Sequence, residues 1–113
     1  MSFSGLTGFT GFSEDELEFL GSQRLARLAT VSARGWPQVV PVMYALTEDG
    51  AVEFDVDGAK LRNLSADPRA ALVVDAMGPK RGISMQGRCS LVGPERARLD
   101  PERRISWGLS GSG

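Results

Sequence analysis

The sequence predicts a mainly β fold, a small six-stranded antiparallel barrel with short helices. Six short stretches carry the apolar patterning of strands, and clusters of glycine, proline and acidic residues separate them. At 113 residues the chain is long enough for one hydrophobic core but not for two. The barrel interpretation requires five side chains to be buried together, namely Val52, Phe54, Val56, Leu72 and Val74.

The first predicted element is a helix. Ser13 followed by Glu16 fits a capping box, so we expect a helix over about residues 14–20, with Gly21 as its stop. A second short helix is predicted over residues 60–66, ended by Asp67-Pro68 because proline disfavours helix before it. The predicted strands cover residues 25–31, 38–46, 51–56, 70–74, 83–92 and 104–109.

Two strand segments have special features. Residues 70–74 (AALVV) are apolar on both faces, which is typical of a central strand. Pro41 lies inside the 38–46 strand and cannot donate to a ladder, so it indicates an edge, a bulge or an interruption in pairing.

The predicted domain organisation is simple. Residues 1–11 (MSFSGLTGFTG) are expected to form a flexible arm, residues 12–109 the barrel domain, and residues 110–113 (SGSG) a flexible tail.

Composition and charge exclude several classes of function. Lys and Arg total 13 against 14 for Asp and Glu, and this net charge of -1 argues against general nucleic-acid binding. The chain has no histidine, which removes Ser–His and Cys–His catalysis and the commonest zinc ligand, so no metal site is expected. The single cysteine, Cys89, suits a reducing compartment, and no stretch approaches the length of a membrane span. We therefore expect a cytoplasmic protein without a membrane or nucleic-acid partner.

The first candidate site is the strand that contains Pro41. At a proline or bulge, backbone groups are released from the ladder and can be offered to a ligand. A planar heterocycle could use the amides and carbonyls of Val42 and Met43. The alternative is an ordinary hairpin with a proline at its edge.

The second and third candidate sites lie further along the chain. Lys60 and Asn63 begin a short helix directly after a strand, and a helix N-terminus with an added lysine can hold a phosphate. A solvated basic turn is the alternative. Trp107, beside Gly108 at the end of the last strand, could cover a ring, fill a dimer seam or lie in the core.

These segments, in this order, resemble the small F420-dependent enzymes of the pyridoxamine-5′-phosphate-oxidase-like split-barrel superfamily, which also includes FMN-binding members. The matching text is FSEDELEFLGSQRLARLATVSARGWPQVVPV, KLRNLSADPRAALVVD, RGISMQGRCSLV and RRISWGL. It covers most of the chain between Phe12 and Leu109.

The resemblance implies a homodimer of six-stranded split barrels with a cofactor groove at each end of the interface. It implies that the ring of coenzyme F420 leans on backbone near Val42 and Met43, that Lys60 holds the phosphate with Asn63 nearby, and that Trp107 approaches from the partner chain. The implied activity is hydride transfer between the deazaflavin and a small-molecule substrate whose identity stays open. Two alternatives stay open as well: an FMN-binding oxidoreductase, and a non-catalytic flavin- or deazaflavin-binding protein.

The sequence departs from that family in two places. After Val92 only a short stretch, GPERARLDPE, precedes the final strand, where relatives insert a longer segment. Asp57 places a carboxylate beside the expected phosphate position, which weakens anion binding unless the side chain turns away.

Overall fold

The computed structural model describes residues 7–8 and 11–109, and its backbone is mainly β. Two nine-residue helices are present, α1 (Glu14–Ser22) and α2 (Gly58–Ala66). The strands are β1 (Thr7–Gly8), β2 (Leu25–Val31), β3 (Pro37–Leu46), β4 (Val52–Asp55), β5 (Arg69–Ala76), β6 (Arg81–Gly93) and β7 (Arg96–Trp107). Neither described helix is long and apolar enough to cross a membrane.

The strands form one antiparallel sheet that closes on itself. Its order is β1-β7-β4-β3-β2-β5-β6, and β6 also pairs with β7, so the six strands β2 to β7 make a closed barrel. This confirms the predicted six-stranded antiparallel barrel with short helices. The two-residue β1 is an addition on the edge of β7, where Thr7 lies opposite Arg104 and Gly8 opposite Arg103. The rest of the predicted arm, residues 1–6 and 9–10, and the tail 110–113 lie outside the described residues.

The core lies inside the barrel, as the alternation in the sequence predicts. The five residues expected to be buried together all belong to it, with exposed fractions of 1% or less: Val52, Phe54, Val56, Leu72 and Val74. The predicted central strand is also confirmed, since β5 pairs with β2 on one side and β6 on the other.

Two element boundaries were predicted wrongly. The last strand was expected only over residues 104–109, but β7 begins at Arg96 and pairs with β6 along almost its whole length. Ala97 and Leu99 are its first inward residues, and a register shift beside Gly87 accommodates Pro101 in the strand. The short stretch after Val92 therefore forms a tight turn and a strand instead of a truncated loop. Helix α1 does not stop at Gly21, because it continues to Ser22, whose hydroxyl donates to the carbonyl of Phe19 at 2.7 Å.

Candidate functional site

Strand β3 changes partner along its length, and this opens the barrel wall at one place. Residues 37–43 pair with β2, whereas only residues 44–46 pair with β4. Within the described residues, no strand pairs with the other side of residues 37–43. The wall is split there, and one edge of the β3 backbone faces outward.

The hydrogen bonds that end the β2–β3 ladder show which backbone groups face outward. The amide of Ser32 donates to the carbonyl of Trp36 at 2.9 Å, and the amide of Tyr44 donates to the carbonyl of Arg24 at 3.3 Å. Hydrogen-bonded pairs alternate in an antiparallel ladder, so every second residue of β3 bonds to β2. Val42, opposite Ala26, is one of these residues, and its backbone groups face β2.

The residues between them turn their backbone groups the other way. Pro37, Val39 and Pro41 have the parity whose amides and carbonyls point away from β2. Both prolines therefore occupy positions where β2 needs no N–H donor, which explains how a long strand tolerates them. Pro41 marks an open edge, one of the outcomes that its position in the strand predicts.

Val42 and Met43 face opposite sides of the wall. The Val42 side chain belongs to the buried core, whereas Met43 is 62% exposed on the outer face. Tyr44 next to them is fixed from inside, because its hydroxyl donates to the carbonyl of Leu20 at 2.5 Å.

Helix α2 follows β4, the strand that pairs with the end of β3. β4 pairs with β3 through Phe54 opposite Tyr44, and α2 starts four residues after Phe54 with Gly58 at φ +53°, a conformation that favours glycine. Asp57 precedes the helix but its side chain makes no capping hydrogen bond. Lys60 lies in the first turn, with Nζ 3.8 Å from Oδ1 of Asp57.

The surroundings of Lys60 are acidic. A cavity of about 410 Å³ is lined by Lys60 together with Asp55, Val56, Asp57 and Glu95. Asp55 is partly neutralised, because Nη1 of Arg96 lies 2.9 Å from its Oδ1. The Asp57 side chain is 77% exposed, so it is free to turn towards solvent. A phosphate at Lys60 is therefore compatible with the geometry, at an electrostatic cost from the remaining carboxylates.

Asn63 is a buried residue that fixes α2. It is 6% exposed, and its amide nitrogen donates to Oγ1 of Thr30 at 3.0 Å and to Oε1 of Gln38. These bonds attach the helix to the end of β2 and the start of β3. Asn63 thus places Lys60 relative to β3.

Trp107 lies apart from the other predicted site residues within the chain. It ends β7 and stands opposite Gly82 of β6, away from the β3 edge in the strand order. A Cβ added to Gly82 would meet Cζ2 of the indole at 2.4 Å, so the ring occupies the space that the glycine leaves. The structure places Val42 and Met43 on β3, attaches Asn63 of α2 to the start of that strand, and leaves Trp107 on the other side of the strand order.

Two surfaces beside the β3 edge are not predicted from the sequence. One is an apolar outer face on and before β3 and on β2, formed by the exposed side chains of Leu25, Trp36, Val39 and Met43. The other is a cavity of about 570 Å³ that includes Arg69, Arg88 and Arg103 in its lining. Both depend on strand register, which brings together residues far apart in the chain, for example Leu25 opposite Met43.

A closed barrel whose wall opens along one edge of β3 defines the chain as a split-barrel protein. A model of the pyridoxamine 5′-phosphate oxidase family matches residues 12–107. The chain therefore belongs to the pyridoxamine 5′-phosphate oxidase family.

Individual relatives agree with this assignment. A 5a,11a-dehydrotetracycline/5a,11a-dehydrooxytetracycline reductase of Streptomyces rimosus is 31% identical over 121 residues, covering 88% of this chain and 85% of the relative. A conserved hypothetical protein of Mycobacterium tuberculosis superposes with a TM-score of 0.74 at 21% identity, covering 89% of each chain. A pyridoxamine 5′-phosphate oxidase-related, FMN-binding protein of Nostoc punctiforme superposes with a TM-score of 0.58 at 24% identity, covering 64% of this chain and 40% of that one. The two structural likenesses support the fold.

Proposed function

We propose that the protein is an F420-dependent reductase that transfers a hydride between the deazaflavin and a small-molecule substrate. The observation that carries the proposal is the outward β3 edge, with Met43 beside it and Lys60 at the start of the neighbouring helix. The relative from Streptomyces rimosus is named a reductase, which favours reduction as the direction. The cofactor supplies the hydride chemistry, and the chain holds the cofactor in position and keeps water away from it.

Each of the predicted site residues has a specific role in binding the cofactor. The β3 backbone around Val42 and Met43 supports the ring edge, and the groups free for hydrogen bonding are those of the residues that alternate with Val42. Lys60 holds the phosphate together with the amides that open α2, because Asp57 does not cap them. Asn63 fixes the orientation of the helix through its hydrogen bonds to Thr30 and Gln38. Trp107 approaches the cofactor that is bound to the partner chain.

The proposed assembly is a cytoplasmic homodimer. The apolar outer face defined above includes Val39 at 65% exposed and Met43 at 62% exposed, and exposed apolar side chains of this kind are typical of a protein interface. Dimerisation across that face would bury it and enclose the cofactor.

The runner-up is an FMN-dependent oxidoreductase at the same site. It is supported by the family and by the FMN-binding description of the Nostoc punctiforme protein. A non-catalytic flavin- or deazaflavin-binding protein is the third candidate, and it differs by binding the cofactor without hydride transfer to any acceptor.

A parallel fluorescence titration with F420 and FMN tests the proposal. We expect saturable F420 binding that is tighter than FMN binding, and Lys60→Ala should weaken the F420 affinity about ten-fold by removing a charge-assisted contact to phosphate. Lys80→Ala is the matched control, since Lys80 is an exposed lysine outside the Lys60 cavity, and it should change the affinity less than about two-fold.

The outcomes separate the three candidates. Tighter FMN binding would select the runner-up, and tight F420 binding without turnover of any acceptor would select the binding protein. An F420 affinity unchanged by Lys60→Ala would refute the assigned role of that residue.

A further inference from the structure

A second cavity lies on the outside of the barrel, across β2, β5, β6 and β7, and part of its floor consists of small side chains. Ala29 of β2 lies opposite Ala71 of β5, and Ala71 lies opposite Gln86 of β6. Val31 and Pro37 line the same cavity, whose volume is about 570 Å³. Cavities that hold small molecules measure roughly 300–1,000 Å³, so this one has the size of a ligand site.

Three guanidinium groups surround that floor. Arg69 of β5 lies directly opposite Arg88 of β6, and Arg103 of β7 lies opposite Gln86. Like charges that face each other across two strands destabilise a sheet. Anions beside the two side chains reduce this repulsion, and Asp100 of β7, which lies opposite Arg88, is one of them.

The chain supplies only part of that negative charge. Asp67 binds Arg69 through two oxygens, with Nη2 to Oδ2 at 2.7 Å and Nε to Oδ1 at 3.1 Å. Oε2 of Glu102 lies 3.2 Å from Nε of Arg88. No ion pair of Arg103 is found in the described part of the chain, and among the residues that line the cavity three arginines stand against one carboxylate, that of Glu102.

The ion pair between Asp67 and Arg69 also fixes the orientation of one guanidinium group beside the cavity. Asp67 uses one edge of the Arg69 guanidinium and fixes its plane, which leaves the remaining N–H donors unpaired by that carboxylate. A guanidinium fork whose orientation is already fixed loses less entropy when it binds a further carboxylate. The cavity therefore combines the small side chains of Ala29 and Ala71 with an oriented guanidinium group at its rim.

We propose that this cavity binds a planar small molecule that carries two or more carboxylates. The flat body lies over Ala29 and Ala71, and the carboxylates accept hydrogen bonds from Arg69, Arg88 and Arg103. This site differs from the one at Lys60, where three carboxylates surround a single ammonium group. The inference stands independently of the F420 proposal, because none of the residues assigned to that cofactor lines this cavity.

Benzene-1,3,5-tricarboxylate is a suitable probe because it is flat and carries three carboxylates. Two comparison compounds separate shape from charge: citrate has the charge without the ring, and benzoate has the ring with a single charge. Calorimetric titration of the full chain should give saturable binding to the tricarboxylate, weaker binding to citrate and weaker still to benzoate. The affinity should fall as salt rises, because the arginines are partly exposed. Inorganic phosphate as a fourth probe would reveal a site that takes any anion.

Amide chemical shifts locate the bound probe. The tricarboxylate should move the amide resonances of Ala29 and Ala71, and leave those around Lys60 unchanged. Shifts centred on Lys60 instead, or no saturable binding at all, would overturn the proposal. So would equal affinity for phosphate and the tricarboxylate, since the small side chains of Ala29 and Ala71 would then play no part.

Two variants should change the affinity for the tricarboxylate in opposite directions, and a third serves as the control. Arg103→Gln should weaken tricarboxylate binding about three- to five-fold, and Glu102→Gln should strengthen it about three-fold by removing a competing carboxylate. Arg24→Gln is the control, because Arg24 is an exposed arginine ~23 Å from Val31 along β2, and it should leave the affinity unchanged. A loss of affinity in Arg24→Gln as large as in Arg103→Gln would reduce the effect to net charge and refute the site.

Discussion

The attachment of helix α1 to the barrel depends on Glu16, a carboxylate that is almost completely buried. Its side chain is 3% exposed, and Oε2 lies 2.9 Å from Nε of Arg104 on β7. The same carboxylate accepts the Ser13 amide at 2.8 Å, while the Ser13 hydroxyl accepts the Glu16 amide at 3.1 Å. One side chain therefore completes the predicted capping box and joins the helix to a strand 88 positions further along the chain.

Substitutions at these positions separate the two contributions. Ser13→Ala should lower the free energy of unfolding by ~1 kcal/mol, the usual cost of a lost helix cap. Glu16→Gln retains an oxygen for the Ser13 amide but removes the charge beside Arg104, whose side chain is only 23% exposed. Breaking a fully buried ion pair costs about 3–5 kcal/mol, and partial exposure of Arg104 reduces the expected loss to about 2–3 kcal/mol. Glu16→Ala should cost more than either, since it removes both contributions.

The pKa of Glu16 predicts the direction in which the stability of the protein changes with pH. Burial by itself would raise the pKa of Glu16, but hydrogen bonds from the Ser13 backbone, Arg104 and Ser106 outweigh it and hold the pKa below its usual range. A depressed pKa contributes stability that is present above the unfolded-state value of about 4.3 and is lost as the pH falls through the folded-state pKa. Glu16→Gln should therefore remove part of the acid sensitivity of the wild type.

Urea unfolding followed by circular dichroism, at pH 7 and at pH 4, measures both effects. In the double variant Glu16→Gln/Arg104→Met, the loss should be clearly smaller than the sum of the two single losses, because the partners are coupled. Additive losses, or a Glu16→Gln protein within about 0.5 kcal/mol of wild type, would refute the reasoning.

Two further predictions concern β6. In Gly82→Ala the new Cβ would lie 2.4 Å from the Trp107 ring and 2.9 Å from the carbonyl oxygen of Val74, so we expect a loss of about 1–3 kcal/mol in unfolding free energy and altered Trp107 emission. The emission is measured in a Trp36→Phe background, and unchanged fluorescence and stability would contradict the packing. Burial, with a smaller effect of Asp100, raises the pKa of Cys89 to about 12, so at pH 8 its reaction with a disulfide reagent should be at least ~100-fold slower than that of a free thiol. Fast labelling of the native protein would show that Cys89 is accessible as a thiolate.

The sequence predicts the core well because local alternation determines it. Val52, Phe54 and Val56 follow one another at the two-residue period of a strand, and no other element has to be known. The last strand was underestimated for the opposite reason. Pro101 and the charged residues around it hide the alternation of Ala97 and Leu99, and only pairing with β6 makes the segment a strand.

The candidate site is less predictable because it depends on register. That Lys60 begins a helix beside β3 follows from the order of elements, and its role in binding stays a prediction. The hydrogen bonds of Asn63 to Thr30 and Gln38 can be predicted only when the relative positions of α2, β2 and β3 are known. Arg69 and Arg88 are likewise 19 positions apart in the chain, and they face each other only when β5 and β6 are aligned.

The two prolines of β3 leave its open edge with more hydrogen-bond acceptors than donors. Pro37 and Pro41 carry no N–H, so of the four outward-facing residues only Val39 and Met43 can donate a hydrogen bond, while all four carbonyls can accept one. An edge of this composition discourages the addition of another strand, which needs donors and acceptors in alternation. It favours instead a molecule that presents N–H or O–H groups in a row. The same feature makes edge-to-edge pairing with another strand less favourable and leaves mostly hydrogen-bond acceptors at the opening of the barrel.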